Sequence, residues 1–197
     1  MSTRFQQEVR RAEAWEESRD LMFYPYWQAL YQAANDVLDC SSLSLETLSI
    51  VLDALALDDE LEHIQDLLRD RPELALQVVT AAPGHPDYRA RWQAAVLAGE
   101  LAPRHILNRY LNDEDEYVRR RALLSMRTRL PEIAESIATE WLDAEHEYSR
   151  MVALDTLYLM ESNNFSEAVD QLLDDPSEVV QKRLKEVTRA GSDERNA

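Results

Sequence analysis

A stretch of about thirty residues recurs along this chain, and that period limits what it can fold into. Residues 111–126 read LNDEDEYVRRRALLSM, and residues 142–157 read LDAEHEYSRMVALDTL, 31 positions later. LDDPSEVVQKRLKEV (173–187) follows after another 31, and DYRARWQAAVLA (87–98) precedes the match at Asp115–Met126 by 28. Each copy has a leucine, an acidic turn, a small or apolar residue, then a cation or an amide. Apolar positions follow in steps of four: Ala90, Ala94, Ala98; Val118, Ala122, Met126; Ser149, Ala153, Leu157; Val180, Leu184. Steps of four keep these residues on one helix face. A self-similar unit of this length is one supersecondary element that buries its apolar face only against its neighbours.

Between the copies lie further helical segments. APRHILNRYL (102–111) and LPEIAESIATEWL (130–142) carry Pro near their start, where the missing N–H leaves no bond unmade. NFSEAVDQLL (164–173) opens with Asn and Ser, both good N-cap types. Each repeat therefore reads as helix, tight acidic turn, helix. Asp113, Glu114, Asp115 and Glu116, with Glu145 and Glu147 in the next copy, sit where a helix dipole favours negative charge. They are expected to be caps and solvated turn. Attraction of a basic partner is the other use of the same acids.

The pattern resembles HEAT repeats, whose helix pairs stack into a right-handed α-α superhelix. Pro131, Asp115, Val118 and Arg119 match the family's early Pro, turn Asp and Val-Arg step. Arg91 and Arg150 hold the Arg position in neighbouring copies; Gln181 departs from it. The resemblance covers 83–189. Over 43–82, LSLETLSIVLDALAL, DDELEHIQDLLRD and PELALQVVTAA read as degenerate repeats. Residues 1–40 do not match and read as a capping pair of helices, with Phe5, Val9, Ala12 and Trp15 or Glu16 at helical spacing in the first and an aromatic-rich second segment, LMFYPYWQALYQAANDVL. The expectation is an all-α protein of about five to six antiparallel helix pairs, a single α-solenoid domain over 1–189. Residues 190–197 read as a flexible tail.

Only 3 glycines occur in 197 residues, and hydrophobic residues make up 45%, which suits a helical protein with a buried core. The net charge is −17. Nucleic acids and anionic membranes repel such a chain; a basic protein attracts it. Charge is banded: net −9 over 36–73, +3 over 85–130 and −12 over 131–178. The single Cys40 excludes an internal disulfide and reads as a small buried hydrophobe. No secretory pattern or membrane-length apolar run is present, so the expected location is cytoplasmic.

Second helices of such solenoids resemble the lining of a concave face. With Val118, Ala122 and Met126 inward, Tyr117, Arg120, Arg121 and Leu124 point outward. The matching positions are Arg89, Trp92, Gln93 and Val96, and then Tyr148, Met151, Val152 and Asp155. Trp92, Val96, Tyr117, Arg120, Leu124, Tyr148, Met151 and Asp155 are therefore the candidate partner-binding residues, being the types that anchor interfaces. Their alternative use is packing against a neighbouring repeat.

The four histidines form no His-x-x-x-His pattern, and Glu60, His63 and Asp66 read as a solvated stripe. No Gly-rich phosphate loop or G-x-S-x-G occurs. No catalytic residue, metal or cofactor is expected. The reading is a non-catalytic protein-binding module. Its most specific form is an acidic inhibitor of a basic partner such as a bacterial nuclease toxin, since compact HEAT-like chains resemble some immunity proteins. A general scaffold or adaptor is the alternative. HEAT-like enzymes, namely alkylbase DNA glycosylases and bilin lyases, are a third class; a glycosylase needs a basic channel, which a net charge of −17 opposes.

Overall fold

The computed structural model describes residues 2–193, with side chains over 3–189. All regular structure among them is helical. The described residues form two compact units, one up to Arg121 and one from Ala122.

The first unit contains α1 (Ser2–Glu16), a 3-10 turn (Leu21–Phe23), α2 (Trp27–Leu38) and α3 (Leu45–Leu57). It continues with α4 (His63–Arg69), α5 (Pro72–Ala81), α6 (Tyr88–Leu101), α7 (Arg104–Leu111) and the start of α8 (Glu116–Met126). The second unit takes the rest of α8, then α9 (Pro131–Trp141), α10 (Glu147–Leu159), α11 (Phe165–Gln171) and α12 (Glu178–Asp193). Helix α12 runs to Asp193, into the segment expected as a flexible tail. Residues 194–197 lie outside the described residues.

Local chemistry sets the helix ends. Pro72 and Pro131 occupy the first helical positions of α5 and α9, and Pro103 is the N-cap of α7. Ser44 caps α3 by accepting from the Thr47 N–H at 3.1 Å. Asn164 sits at the N-cap of α11 without a side-chain cap bond; its amide donates to Glu135 at 3.3 Å instead. Around Pro25 the aromatic-rich second capping segment divides into the 3-10 turn and α2, and Met22 and Phe23 are exposed. Phe5, Val9 and Ala12 are buried, as their spacing predicts, and α1 packs on α2 and α3.

The four repeat copies share one polar device. The side chain at the cation-or-amide position turns back onto the carbonyls of its own preceding turn. Arg91 Nη1 donates to His85 O at 2.8 Å and Pro86 O at 3.0 Å. Arg119 Nη1 donates to Asp113 O at 2.6 Å and Glu114 O at 3.0 Å. Arg150 Nη1 donates to Ala144 O at 2.8 Å and Glu145 O at 2.9 Å. Gln181 Nε2 does the same work, donating to Leu173 O at 2.8 Å, Leu172 O at 3.1 Å and Asp175 O at 3.3 Å. The amide that departs from the sequence pattern thus preserves its function.

Two of the arginines also reach the next turn. Arg91 grips Asp113 in a bidentate pair, Nε–Oδ2 3.0 Å and Nη2–Oδ1 3.1 Å, with both side chains 5% exposed. Arg150 grips Asp175 at 2.6 and 2.9 Å, which holds the Asp175 carboxyl below its ordinary range. The same aspartates accept backbone N–H groups inside their own turns, Asp113 from Asp115 at 2.9 Å and Asp175 from Ser177 at 2.8 Å.

Removing one partner of a buried pair strands the other charge, at a cost of about 3–5 kcal/mol. Asp113→Ala is therefore expected to destabilise the first unit by that order. Glu114→Ala, at a carboxylate 86% exposed, should cost under about 1 kcal/mol. Urea unfolding of the two variants checks this; equal losses would remove the buried pair from the account.

Candidate functional site

The expected acidic-turn residues divide by role. Asp115 is the N-cap of α8, accepting from Tyr117 N–H at 2.8 Å and Val118 N–H at 3.4 Å. Asp87 caps α6 in the same way, at 2.8 Å from Arg89 N–H, and Ser177 caps α12 at 3.2 Å from Val179 N–H. His146 takes this position for α10, where the sequence reading assigned no cap. Glu116 pairs with Arg120 at 2.7 Å, and Glu147 accepts from Ser177. Glu114 and Glu145 are exposed.

The candidate ridge residues fare unevenly. Trp92 and Gln93, expected outward, are buried at 4% and 0% exposure; Val152, also expected outward, is 3% exposed. The reason for α6 is its surroundings: it packs against α3, α4, α5 and α7, so little of its circumference reaches solvent. Gln93 spends its amide on Leu55 O, a bond to a neighbouring helix that periodicity does not reveal. Val96, Leu124 and Met151 are half-buried, and Tyr148 is exposed beside His146. Asp155 is held by Arg183 at 2.5 Å, and burial raises its carboxyl against that bond. Cys40, expected buried, is exposed in the bend after α2.

Part of the ridge belongs to a different feature. An open cleft of about 530 Å³ in the first unit is lined by the aromatic rings of Tyr88, Trp92 and Tyr117. Its remaining walls are the carboxylates of Asp59, Glu60, Glu62 and Asp115. Tyr117 stands edge-on to Trp92, with centroids 5.7 Å apart, and to Tyr88 at 6.5 Å. Two cations of the chain lie on these rings. The Arg120 guanidinium is 5.0 Å from the Tyr117 centroid, and that of Arg121 is 4.6 Å from the Trp92 centroid. Burial pushes the Asp59 carboxyl above its ordinary range; Arg89 opposes this, and Glu60 and Glu16 add to it.

Asp58 builds the acidic wall from below. It is fully buried, accepts the Tyr31 hydroxyl at 2.6 Å, and accepts the Ile64 N–H at the start of α4 at 2.7 Å. Its own carbonyl accepts the Glu62 N–H at 2.9 Å. The turn closes with Glu62 in the left-handed region, φ 53°, a conformation that non-glycine residues adopt at a cost. Tyr31 is itself stacked on Trp27, 5.5 Å between centroids, and tilted against His63 at 4.3 Å. Glu60, His63 and Asp66 are all exposed, as expected of a solvated stripe, yet each has its own neighbour. His63 packs on Tyr31, Glu60 lines the cleft and Asp66 pairs with Arg69. Sequence reading missed Asp59 and Glu62 as cleft residues. The available signal was DDELE directly after an apolar helix.

Among the described residues no group of three or more His, Cys, Asp or Glu is placed to hold a metal ion. No described helix is long and apolar enough to cross a membrane. What the fold and the cleft define is an all-helical protein with an acidic, aromatic-walled cleft in its first unit. Comparison with family models, curated proteins and solved structures finds no match.

Burial raises the Asp58 carboxyl from 3.8 to about 6, against the hydrogen bonds from Tyr31 and Ile64 and the attraction of His63. The folded value lies above the unfolded one, so the native state carries an extra proton between them. The contribution of Asp58 to stability therefore falls as pH rises from about 4 to 6, leaving a cost on the order of 2 kcal/mol at pH 7. Asn at this position still accepts from Ile64 and donates to Tyr31. Asp58→Asn is expected to stabilise the protein at pH 7 by about 1–2 kcal/mol, with the gain vanishing near pH 4. Thermal unfolding across that range checks it; a loss at pH 7, or a pH-independent gain, would contradict the assignment.

Proposed function

We propose that this protein is a non-catalytic binding module that captures a basic protein partner, with the cleft between Asp59 and Tyr117 as its contact surface. The observation that carries this reading is the juxtaposition of Asp59, Glu60, Glu62 and Asp115 with Tyr88, Trp92 and Tyr117 in one cleft. Carboxylates supply the attraction, and aromatic rings supply rigid contact area and a surface for cations. The net charge of −17 supports the same reading, because it steers a basic partner into encounter. The most specific form of the proposal is an immunity protein that neutralises a nuclease toxin. Nucleases carry basic surfaces for their anionic substrates, and an acidic module can cover such a surface.

The reading also takes the helix pairs to stack as a right-handed HEAT-like superhelix. Its support is the same carbonyl clamp at four successive repeats.

The test is affinity capture from native lysate at low and high salt, with mass spectrometry of the retained proteins. Wild type is compared with the triple variant Asp59→Asn, Glu60→Gln, Glu62→Gln. The expected outcome is a stoichiometric basic partner that high salt or the triple variant releases. Capture should also weaken as pH falls, beginning above the ordinary carboxylate range because burial raises the Asp59 carboxyl. A neutral partner held at high salt would replace this reading with a scaffold or adaptor. A basic partner indifferent to the triple variant would move the contact away from the cleft.

A further inference from the structure

The chain's own cations show what chemistry the cleft accepts. Arg120 is firmly engaged, with its ion pair to Glu116 at 2.7 Å and its guanidinium on Tyr117. Arg121 is held more loosely. Its guanidinium lies over Trp92 at 4.6 Å and further from Tyr117 at 6.0 Å. Its contact with Glu62 is long, 3.8 Å. Its Nε is buried and has no hydrogen-bond partner, which leaves a buried donor unsatisfied. A planar cation thus rests against the cleft's Trp92 and Glu62, with incomplete hydrogen bonding.

We propose that the cleft takes an arginine side chain of the basic partner, and that Arg121 holds this place in the free protein and yields it on binding. This rests on the cleft being the contact surface for that partner. Guanidinium fits better than ammonium for three reasons. It is planar and stacks on indole and phenol rings. Its forked donors match carboxylates two at a time. It sheds water more readily. The acceptor set is present: Asp59, Glu62 and Asp115 line the cleft with Trp92 and Tyr117. The exchange is favourable because Arg121 gives up a long ion pair and its Nε regains water. The incoming fork gains bidentate bonds. Glu62 is the shared acceptor, and its left-handed backbone fixes where its carboxylate starts.

The test uses the full chain with two probes, Nα-acetyl-arginine amide and the matching lysine amide, followed by NMR of the tryptophan indole N–H groups. Trp92→Phe assigns the Trp92 resonance; Trp15, Trp27 and Trp141 report the fold and serve as controls. The arginine probe is expected to shift the Trp92 signal saturably, and to bind at least about threefold tighter than the lysine probe. In Arg121→Gln, with the three control signals unchanged, the arginine probe should bind several-fold tighter than in wild type. Should that variant fold poorly, the comparison of probes on wild type still decides the guanidinium preference. Equal binding of both probes, or no gain in Arg121→Gln, overturns the inference. A captured basic partner with no Trp92 response to the arginine probe overturns the arginine assignment and leaves the wider reading standing. Loss of both removes the two together.

Discussion

A side chain clamped onto the carbonyls of its own turn is the interaction the four repeats share, and in two of them a guanidinium also ties that turn to the next. Each turn must expose several carbonyls where one helix ends and the next begins, and buried carbonyls need donors. Arg91 satisfies two in its own turn and joins that turn to the next through Asp113; Arg150 does the same through Asp175. Asp113 in turn fixes the backbone of its own turn by accepting from Asp115, which caps α8. One ion pair therefore sets the position of a turn, the start of a helix and the direction in which Tyr117 leaves it.

This separates two kinds of acid in a strongly acidic chain. Most acids in the repeat turns serve caps, clamps and local pairs; Asp115 caps α8 and also lines the cleft, and Glu114 and Glu145 are exposed. The acids of 59–62 belong to a turn of another kind, closed by a left-handed Glu62 and supported by the buried Asp58. Asp58 works against stability at neutral pH, yet it anchors both Tyr31 and the first turn of α4. A structure that tolerates a buried carboxylate and a strained backbone in one turn holds that turn in a defined shape. Its three acids, Asp59, Glu60 and Glu62, line the same cleft as Trp92 and Tyr117.

Much of the helical layout was legible in sequence because its determinants are local. Pro72, Pro131 and Ser44 mark helix starts, and steps of four mark the buried faces of α6, α8, α10 and α12. Asp115 was legible as a cap for the same reason, whereas the cap of α10 is His146 and not one of the acids beside it. The cleft was not. Trp92 and Gln93 fall on the outward arc of a helix wheel, but α6 is surrounded, and no wheel shows what stands beyond its rim. Asp59, Glu60 and Glu62 meet Trp92 and Tyr117 only through packing between residues some thirty to sixty apart in the chain. The exposed Cys40 shows the converse: composition favours burial, and a loop position overrides it.

The most direct test of the clamp is a double-mutant cycle across Arg91 and Asp113. Arg91→Gln leaves an amide for the turn carbonyls, as Gln181 does in the last repeat, and removes only the fork that grips Asp113. Asp113→Asn removes the charge and keeps an acceptor for the Asp115 N–H. Unfolding free energies of wild type, both single variants and the double variant give the coupling. The account predicts an interaction of about 2 kcal/mol or more, with the double variant far more stable than the sum of the two losses implies. Losses that add to within about 0.5 kcal/mol would contradict it, and would return Arg91 and Asp113 to independent roles.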